Sequence, residues 1–322
     1  MDKNAKIYVA GHNGLVGSAL VRNLQANGYS NLLLRRHAEL DLTDQHATEA
    51  FFAEEKPEYV FLAAAKVGGI HANNSYPAEF IRQNLVIQTN VIHAAYKTNV
   101  QRLLFLGSSC IYPRNCPQPI KEEYLLSGPL ELTNRAYAVA KIAGIETCRS
   151  YNKQFGSKFL SVMPTNLYGP NDNYDLDNSH VLPALIRKFH TAKISGSSEV
   201  EIWGSGNPRR EFLYVDDMAS ACIFLAKLSA QAYQELLNYS VVPGLINVGY
   251  GSDLSIQNLA EKIAKVVGFT GRIIKDQNKP DGTPQKLLDS SRIHELGWKP
   301  EFSLDEGISK TYSAYTTGID LT

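Results

Sequence analysis

A short apolar run, Lys6 to Ala10, leads straight into Gly11-His12-Asn13-Gly14-Leu15-Val16-Gly17, and Val16, Leu20 and Leu24 then recur at helical spacing. No other feature limits the fold as tightly. One glycine allows the strand to turn, a second lets backbone approach a pyrophosphate, and a third lets the helix pack closely on the strand. The helix N-terminus is then aimed at an anion. Three glycines alone would be mere turns. In the order strand, loop, helix they predict a βαβ unit that binds a dinucleotide.

The rest of the first half repeats that alternation. Strand-like runs at Asn31 to Leu34, Tyr59 to Ala64, Leu103 to Gly107 and Phe159 to Pro164 are separated by helical patterns near Thr43 to Glu54, Phe80 to Thr98 and Ala136 to Phe155. Continuous apolar strands suit a parallel sheet buried on both faces. From Thr165 onward, Gly169, Pro170, Gly204 and Gly206 break the regularity, and a strand-like stretch returns at Ile246 to Gly249. The expected fold is α/β, a Rossmann-type doubly wound parallel sheet with a smaller interleaved α/β lobe. Residues 1–165 and 213–249 would form the dinucleotide-binding domain, and 166–212 with 250–322 the substrate lobe. Asp253 to Gly268 and Ser291 to Tyr312 read as helical.

Composition excludes several classes of function. Lys+Arg and Asp+Glu balance at 32 each, so no field draws a nucleic acid. The opening residues lack the apolar length of a signal or a membrane span, and the cytoplasm is the expected compartment. Four irregularly spaced cysteines, Cys110, Cys116, Cys148 and Cys222, suggest reduced thiols rather than a disulfide framework or a metal site.

Where an acidic residue after the second strand would bind the adenosine ribose, the chain reads Leu34-Arg35-Arg36-His37. Either arginine can clamp a ribose 2′-phosphate that a carboxylate would repel, which favours NADP(H). A solvated basic turn is the plainer alternative. Asp41-Leu42 follows, within reach of the adenine or simply in an exposed turn.

Tyr137 and Lys141 stand four apart on a predicted helix, on one face. An ammonium near a phenol favours the phenolate, so Lys141 is expected to lower the Tyr137 pKa and let it exchange a proton near neutrality. Ser108 lies just past the strand Leu103 to Gly107, at the carboxyl edge where open α/β sheets bind ligands.

The glycine loop, Ser108 and the Tyr137/Lys141 pair resemble the extended short-chain dehydrogenase/reductases that act on nucleotide sugars. Five further stretches resemble, within that family, the epimerase-reductases of 4-keto-6-deoxymannose nucleotides. These are Ala63 to Ile70, Gly107 to Pro113, Pro164 to Pro170, Asn178 to Val181 and Lys279 to Pro284. The resemblance implies epimerisation at C3 and C5 of GDP-4-keto-6-deoxy-D-mannose, followed by reduction at C4 with NADPH, in a homodimer. By the same motif match, Cys110 and His180 would exchange protons with the sugar. Ser108 and Tyr137 would hold the C4 oxygen, and Lys141 would bind the nicotinamide ribose.

The cofactor would be held by Gly11, His12, Asn13, Gly14, Leu15, Val16 and Gly17, by Arg35, Arg36, His37, Asp41 and Leu42, and by Ala64, Leu106, Gly107, Lys141, Pro164, Asn166, Leu167 and His180. The substrate would be held by Ser108, Ser109, Asn166, Lys188, Trp203, Arg210 and Asp281. Arg209 stands beside Arg210, and either can be merely solvated. Asn13 and His37 depart from the family pattern, in which arginines contact the 2′-phosphate, and this leaves dual NADP(H)/NAD(H) use open. Cys116, Cys148 and Cys222 match no catalytic motif and read as structural.

A 4-epimerase or a 4,6-dehydratase would share the glycine loop and the Tyr/Lys pair. A dehydratase needs acidic residues just after the serine, where this chain has Ser109-Cys110-Ile111. A non-catalytic dinucleotide sensor would not need the tyrosine and lysine that stand here.

Overall fold

The computed structural model describes residues 1–176, 179–279 and 281–319. The glycine-led βαβ unit forms as its residues dictate. Strand β1 (Ile7–Ala10) is buried along its whole length, and α1 (Leu15–Ala26) turns Ala19, Leu20 and Leu24 onto it. Then come β2 (Leu32–Leu33), α2 (Gln45–Glu55), β3 (Tyr59–Leu62), α3 (Ile70–Ser75), α4 (Pro77–Lys97), β4 (Arg102–Leu106), α5 (Arg135–Phe155) and β5 (Phe159–Pro164). Local chemistry sets several boundaries. Asp44 caps α2 by accepting from the Ala47 N–H at 3.0 Å, Pro77 opens α4, and Gly156 ends α5 in the left-handed conformation at φ +71°.

The chain continues through β6 (Asn166–Tyr168), α6 (Val181–Ser195), β7 (Glu199–Trp203), β8 (Arg209–Tyr214), α7 (Val215–Lys227), α8 (Ala230–Leu237) and β9 (Leu245–Val248). After these come β10 (Asp253–Ser255), α9 (Ile256–Val267), β11 (Arg272–Asp276), β12 (Gln285–Lys286), α10 (Ser291–Glu295) and α11 (Leu304–Ile319). The main sheet is six-stranded and parallel throughout, in the order β2-β1-β3-β4-β5-β9. Strand order therefore reverses at β1, and the crevice beyond the carboxyl ends of β1 and β3 is where such sheets take ligands.

Two apolar cores lie against this sheet, one including Leu20, Leu24, Met218 and Cys222, the other Phe52, Val91, Ile92 and Ile145. A third, built on Ile186, Phe189, Ile202, Leu259 and Ile263, belongs to the part made by α6, β7, β8, α9 and α11. Its strands form two small groups. In one, β8 is flanked by β10 antiparallel and β12 parallel and also pairs with β6; the other is β7 with β11.

Four expectations need correction. The second strand is two residues, not four: beyond Leu33 the edge chain leaves β1, and Arg35 is drawn onto Glu55 of α2 at 2.7 Å. The helical stretch expected from Asp253 begins with the β10 strand, and α9 starts only where Ser255 caps it by accepting from the Asn258 N–H at 3.1 Å. Ser291 to Tyr312 is not continuous, because Gly297 at φ +106° and Pro300 separate α10 from α11. A Ser303/Glu306 capping box restarts the helix. Finally, Ile293 and Trp298, inside the stretch assigned to the smaller lobe, pack in the first core of the large sheet. The motif residues Asn178 and Pro280 fall outside the described residues. Among the described residues no helix is long and apolar enough to cross a membrane.

Candidate active site

The glycine loop has the form a dinucleotide requires. Gly11 turns at φ +83°, and a Cβ there would lie 2.7 Å from the Ala64 backbone nitrogen. A Cβ on Gly17 would run into the Gly11 carbonyl and would stand 2.8 Å from His12 Cα. Gly14 caps α1 without any side-chain hydrogen bond, and the first turn carries no acid, so the helix N–H groups and dipole are free for an anion. Nδ1 of His12 is buried and has no partner among the described residues. These features fit a bound dinucleotide diphosphate. Asn13 is exposed at the loop, and Leu15 and Val16 pack against the first core.

The basic turn is less free than its sequence suggests. Arg35 donates to Glu55 at 2.7 Å and to its own neighbour Leu34, and lies 5.5 Å over the Phe51 ring. It is a structural ion pair. Among the described residues Arg36 pairs only with Glu39, at 3.1 Å on the surface, an interaction weak enough for a phosphate to replace. His37 is exposed, 3.7 Å from Asp41. The Asp41 carboxylate is already engaged by the Thr43 N–H and hydroxyl, both at 2.8 Å, and Leu42 is buried in the second core. Ala64 stands just past β3, Leu106 and Gly107 are buried at the end of β4, and Pro164 is buried at the end of β5. Leu167 is half-buried, and Asn166 donates to the Glu211 carbonyl at 2.8 Å.

At the carboxyl end of β4 the chain tightens into a 3-10 turn, Ser109–Ile111, capped by Ser108, whose hydroxyl accepts from the Cys110 N–H at 3.4 Å. This puts Ser108 and Cys110 together opposite α5. Ser108 is near enough to the Tyr137 phenol to act on its proton, and Cys110 acts electrostatically on both Tyr137 and Lys141. Four expected residues thus share one spot. Ser109 is buried beside them.

The role expected of Lys141 needs a correction. Its ammonium is buried, donates to the Leu106 carbonyl at 2.8 Å and lies by the rings of Phe105 (4.7 Å) and Tyr137 (5.8 Å), and it is not among the influences that set the phenol. Burial lowers the Lys141 pKa to about 8, against which Cys110 pulls. Burial is also the largest influence on Tyr137 and raises its pKa, Cys110 adds to the rise, and Ser108 opposes it. The phenol rests protonated, a proton donor. In the Cys110 thiol burial again raises the pKa, with Lys286 the strongest opposing influence and Lys141 a lesser one. His180 is the N-cap residue of α6, makes no side-chain cap hydrogen bond and is exposed. Enough protein surrounds the ring that desolvation, with Lys286 second, lowers its pKa and keeps the imidazole neutral.

A prediction follows from Lys141. Its folded-state pKa near 8 lies below the unfolded value of 10.5, so between those values the unfolded chain holds more protons and stability rises with pH. Below pH 8 the full penalty remains, about 3 kcal/mol for such a shift. Lys141→Met removes it but leaves the Leu106 carbonyl unpaired, so the ligand-free variant should gain about 1 to 2 kcal/mol at pH 7. Thermal denaturation should show a melting temperature a few degrees above wild type, with the gap closing as pH rises towards 10. A variant less stable than wild type at pH 7 contradicts this.

In the smaller part of the molecule, Trp203 is exposed, with Lys188 (5.7 Å) and Lys279 (5.2 Å) over its ring. Lys188 also donates to the Glu201 carbonyl at 3.1 Å. Asp281 is engaged by the N–H and hydroxyl of Ser205, 2.8 and 2.7 Å away, and so braces the Gly204-Ser205-Gly206 turn. Arg210 is half-buried on β8, donating to the Arg209 and Thr283 carbonyls. Arg209 is spent on Asp253 at 2.6 Å, which leaves Arg210 as the candidate for an anion.

Two lysines escaped the sequence reading. Lys279 belongs to the Lys279 to Pro284 stretch, but nothing local in the sequence ties it to Trp203, over whose ring it lies. Lys286, which acts on both Cys110 and His180, sits in a two-residue strand with no periodicity to mark it. Among the described residues no group of three His, Cys, Asp or Glu is gathered as for a metal.

Known proteins resemble the chain over nearly its whole length. A sequence profile described as the NAD dependent epimerase/dehydratase family matches residues 7–241. GDP-L-fucose synthase 1 of Arabidopsis thaliana is 58% identical over 318 residues, 99% of this chain and 95% of the relative. GDP-L-fucose synthase of Escherichia coli K12 is 53% identical over 98% of each chain. Among solved structures, the GDP-mannoheptose C4 reductase MlghC of Campylobacter jejuni with NADP bound superposes with a TM-score of 0.89. It is 43% identical and is covered over 99% of its length by 98% of this chain.

Proposed function

The chain belongs to the NAD dependent epimerase/dehydratase family, and from that premise we propose that it makes GDP-L-fucose, epimerising GDP-4-keto-6-deoxy-D-mannose at C3 and C5 and reducing C4 with NADPH. The observation that carries this reading is the convergence of a protonated phenol, a thiol and the Ser108 hydroxyl at the carboxyl end of β4, with a neutral imidazole electrostatically tied to the same cluster.

C3 and C5 flank a ketone, so a base can take the proton from each carbon and leave an enolate whose charge lies on the C4 oxygen. Ser108 and Tyr137, neighbours in the site, offer two donors for that oxygen. His180 rests neutral and can accept a proton, while Cys110 rests protonated and can give one, so a base and an acid are available at one site. Once both centres are inverted, Tyr137 gives its proton to the alkoxide formed at C4. Bound NADPH supplies the hydride for that last step.

The glycine loop from Gly11 to Gly17 would hold the dinucleotide diphosphate, and Arg36 the 2′-phosphate. Ala64, Leu106, Gly107, Lys141, Pro164, Asn166 and Leu167 would line its nicotinamide half. Arg210 would bind the sugar-nucleotide diphosphate, and Trp203 with Lys188 the nucleoside. A homodimer would close over α4 and α5, where Tyr96 stacks on the exposed Phe155 at 4.2 Å. Four free cysteines suit the reducing cytoplasm.

The test follows NADPH oxidation and deuterium uptake at C3 and C5 from D2O, with GDP-4-keto-6-deoxy-D-mannose as substrate. Cys110→Ser and His180→Asn should each cut uptake by about a hundredfold or more, the usual worth of a positioned acid or base. Cys110→Ser should leave NADPH binding unchanged within a few fold. Wild-type uptake rates in both variants would remove the pair from the mechanism, and reduction without any uptake in wild type would make the enzyme a C4 reductase alone.

A further inference from the structure

The thiolate is the costly form of Cys110. The site is buried, and whenever the thiol gives up its proton a negative charge appears on sulfur where little water can reach it. Something cationic must stand by. Lys141 is committed to the Leu106 carbonyl, and Lys188 to that of Glu201. Lys286 differs from both, because among the described residues its ammonium has neither a hydrogen bond nor an ion pair.

Its position is nevertheless fixed. Strand β12 runs parallel to β8 with Lys286 opposite Arg210, so the two side chains leave the sheet on the same face. The next three residues are stitched to the segment that follows Cys110. The Leu287 N–H donates to Gln118 Oε1 at 2.9 Å, the Ile120 N–H to the Leu287 carbonyl at 2.7 Å, and the Asp289 N–H to the Ile120 carbonyl at 2.8 Å. The Leu288 N–H is held by Glu211 Oε2 at 3.0 Å. A free ammonium is thereby anchored to the same backbone as the thiol. The charged and titratable groups around it are Cys110, Cys116, Glu131, Arg210 and, at the start of α6, His180. Around Cys110 the remaining such groups are Lys141 and Tyr137, both on α5.

We propose that Lys286 is a positioning residue for proton exchange, its ammonium stabilising the Cys110 thiolate that forms each time the thiol protonates the enolate and that is discharged when sulfur takes a proton back. The S–H bond breaks as the new C–H bond forms at the sugar carbon, the enolate pair supplying the electrons and sulfur keeping its own. Lys286 itself gives up nothing. Of the charges that oppose burial at Cys110 it is the strongest, and where burial lowers the proton affinity of Lys286, Cys110 is the first of the groups that pull it back, so each favours the charged form of the other. This rests on the role given above to Cys110.

The test reads the thiol directly. NADPH-loaded wild type, Lys286→Met and Lys286→Arg are alkylated with iodoacetamide across pH 6 to 11, and the Cys110 peptide is followed by mass spectrometry. The methionine variant should shift the Cys110 midpoint up by about one pH unit, a tenfold loss of thiolate at a fixed lower pH. The arginine variant should stay near wild type, and the profiles of the remote Cys148 and Cys222 should not move. Deuterium uptake at C3 and C5 should fall about tenfold in the methionine variant and recover in the arginine variant. Lys286→Gln replaces the methionine variant if that one does not fold. An unmoved Cys110 midpoint, or equal shifts in the methionine and arginine variants, overturns the proposal. Failure of wild type to turn over the sugar overturns the proposed function instead, and leaves the alkylation result standing.

Discussion

Tyr137→Phe should lower NADPH oxidation by about a thousandfold or more while the protein folds and binds NADPH as before, a loss in the range of a general acid and an oxyanion donor removed together. The phenol is half-buried beside Ser108 and Cys110, and burial keeps its proton on. A protonated phenol cannot serve as a base in the resting enzyme. It can serve as the donor to an alkoxide at C4, which is more basic than a phenolate and draws the proton over. The ring itself is held apart from the hydroxyl, edge-on to Phe80 with centroids 6.2 Å apart, so phenylalanine keeps that packing. Deuterium uptake at C3 and C5 should suffer less than reduction, because Ser108 still offers a donor to the enolate oxygen. Steady-state oxidation, solvent exchange and NADPH titration on one variant separate these effects. Turnover near the wild-type rate would mean that another group protonates C4.

The cofactor half of the molecule was readable because its signals are local. Gly11, Gly14 and Gly17 must follow a strand and open a helix, and strands buried on both faces are continuous apolar runs, so β1, β3, β4 and β5 fell close to the expected positions. Failures came where distant partners decide. Arg35 resembles a phosphate ligand until Glu55, twenty residues on, claims it. Lys141 is spaced to touch the Tyr137 hydroxyl, yet it donates to the Leu106 carbonyl, and burial is the largest influence on the phenol. Lys286 gives no local sign at all. Its importance comes from β8 pairing, and strand pairing across 76 residues leaves no periodic trace. The interruption between α10 and α11 was the one avoidable miss, since Gly297, Pro300 and the Ser303-x-x-Glu306 capping box were all present in the chain.

The glycine loop allows the sharpest separation of packing from binding. A Cβ on Gly17 would collide with the Gly11 carbonyl and the His12 backbone, and backbone on both sides leaves nothing flexible to give way. Gly17→Ala should cost about 3 kcal/mol or more in stability and abolish NADPH binding with it. Gly14 is different. Its φ of −79° suits any residue, and the nearest atom to an added Cβ, the Gly11 oxygen, lies at an ordinary 3.5 Å. Gly14→Ala should therefore melt within a few degrees of wild type. Yet Gly14 is where α1 begins with its N–H groups unclaimed, and a methyl group there intrudes where a diphosphate approaches. Its NADPH affinity should fall at least tenfold, about 1.4 kcal/mol. Urea denaturation of the ligand-free proteins gives the first quantity and fluorescence titration with NADPH the second. If Gly14→Ala binds NADPH as tightly as wild type, the diphosphate does not sit against that helix start, and the loop is a packing device.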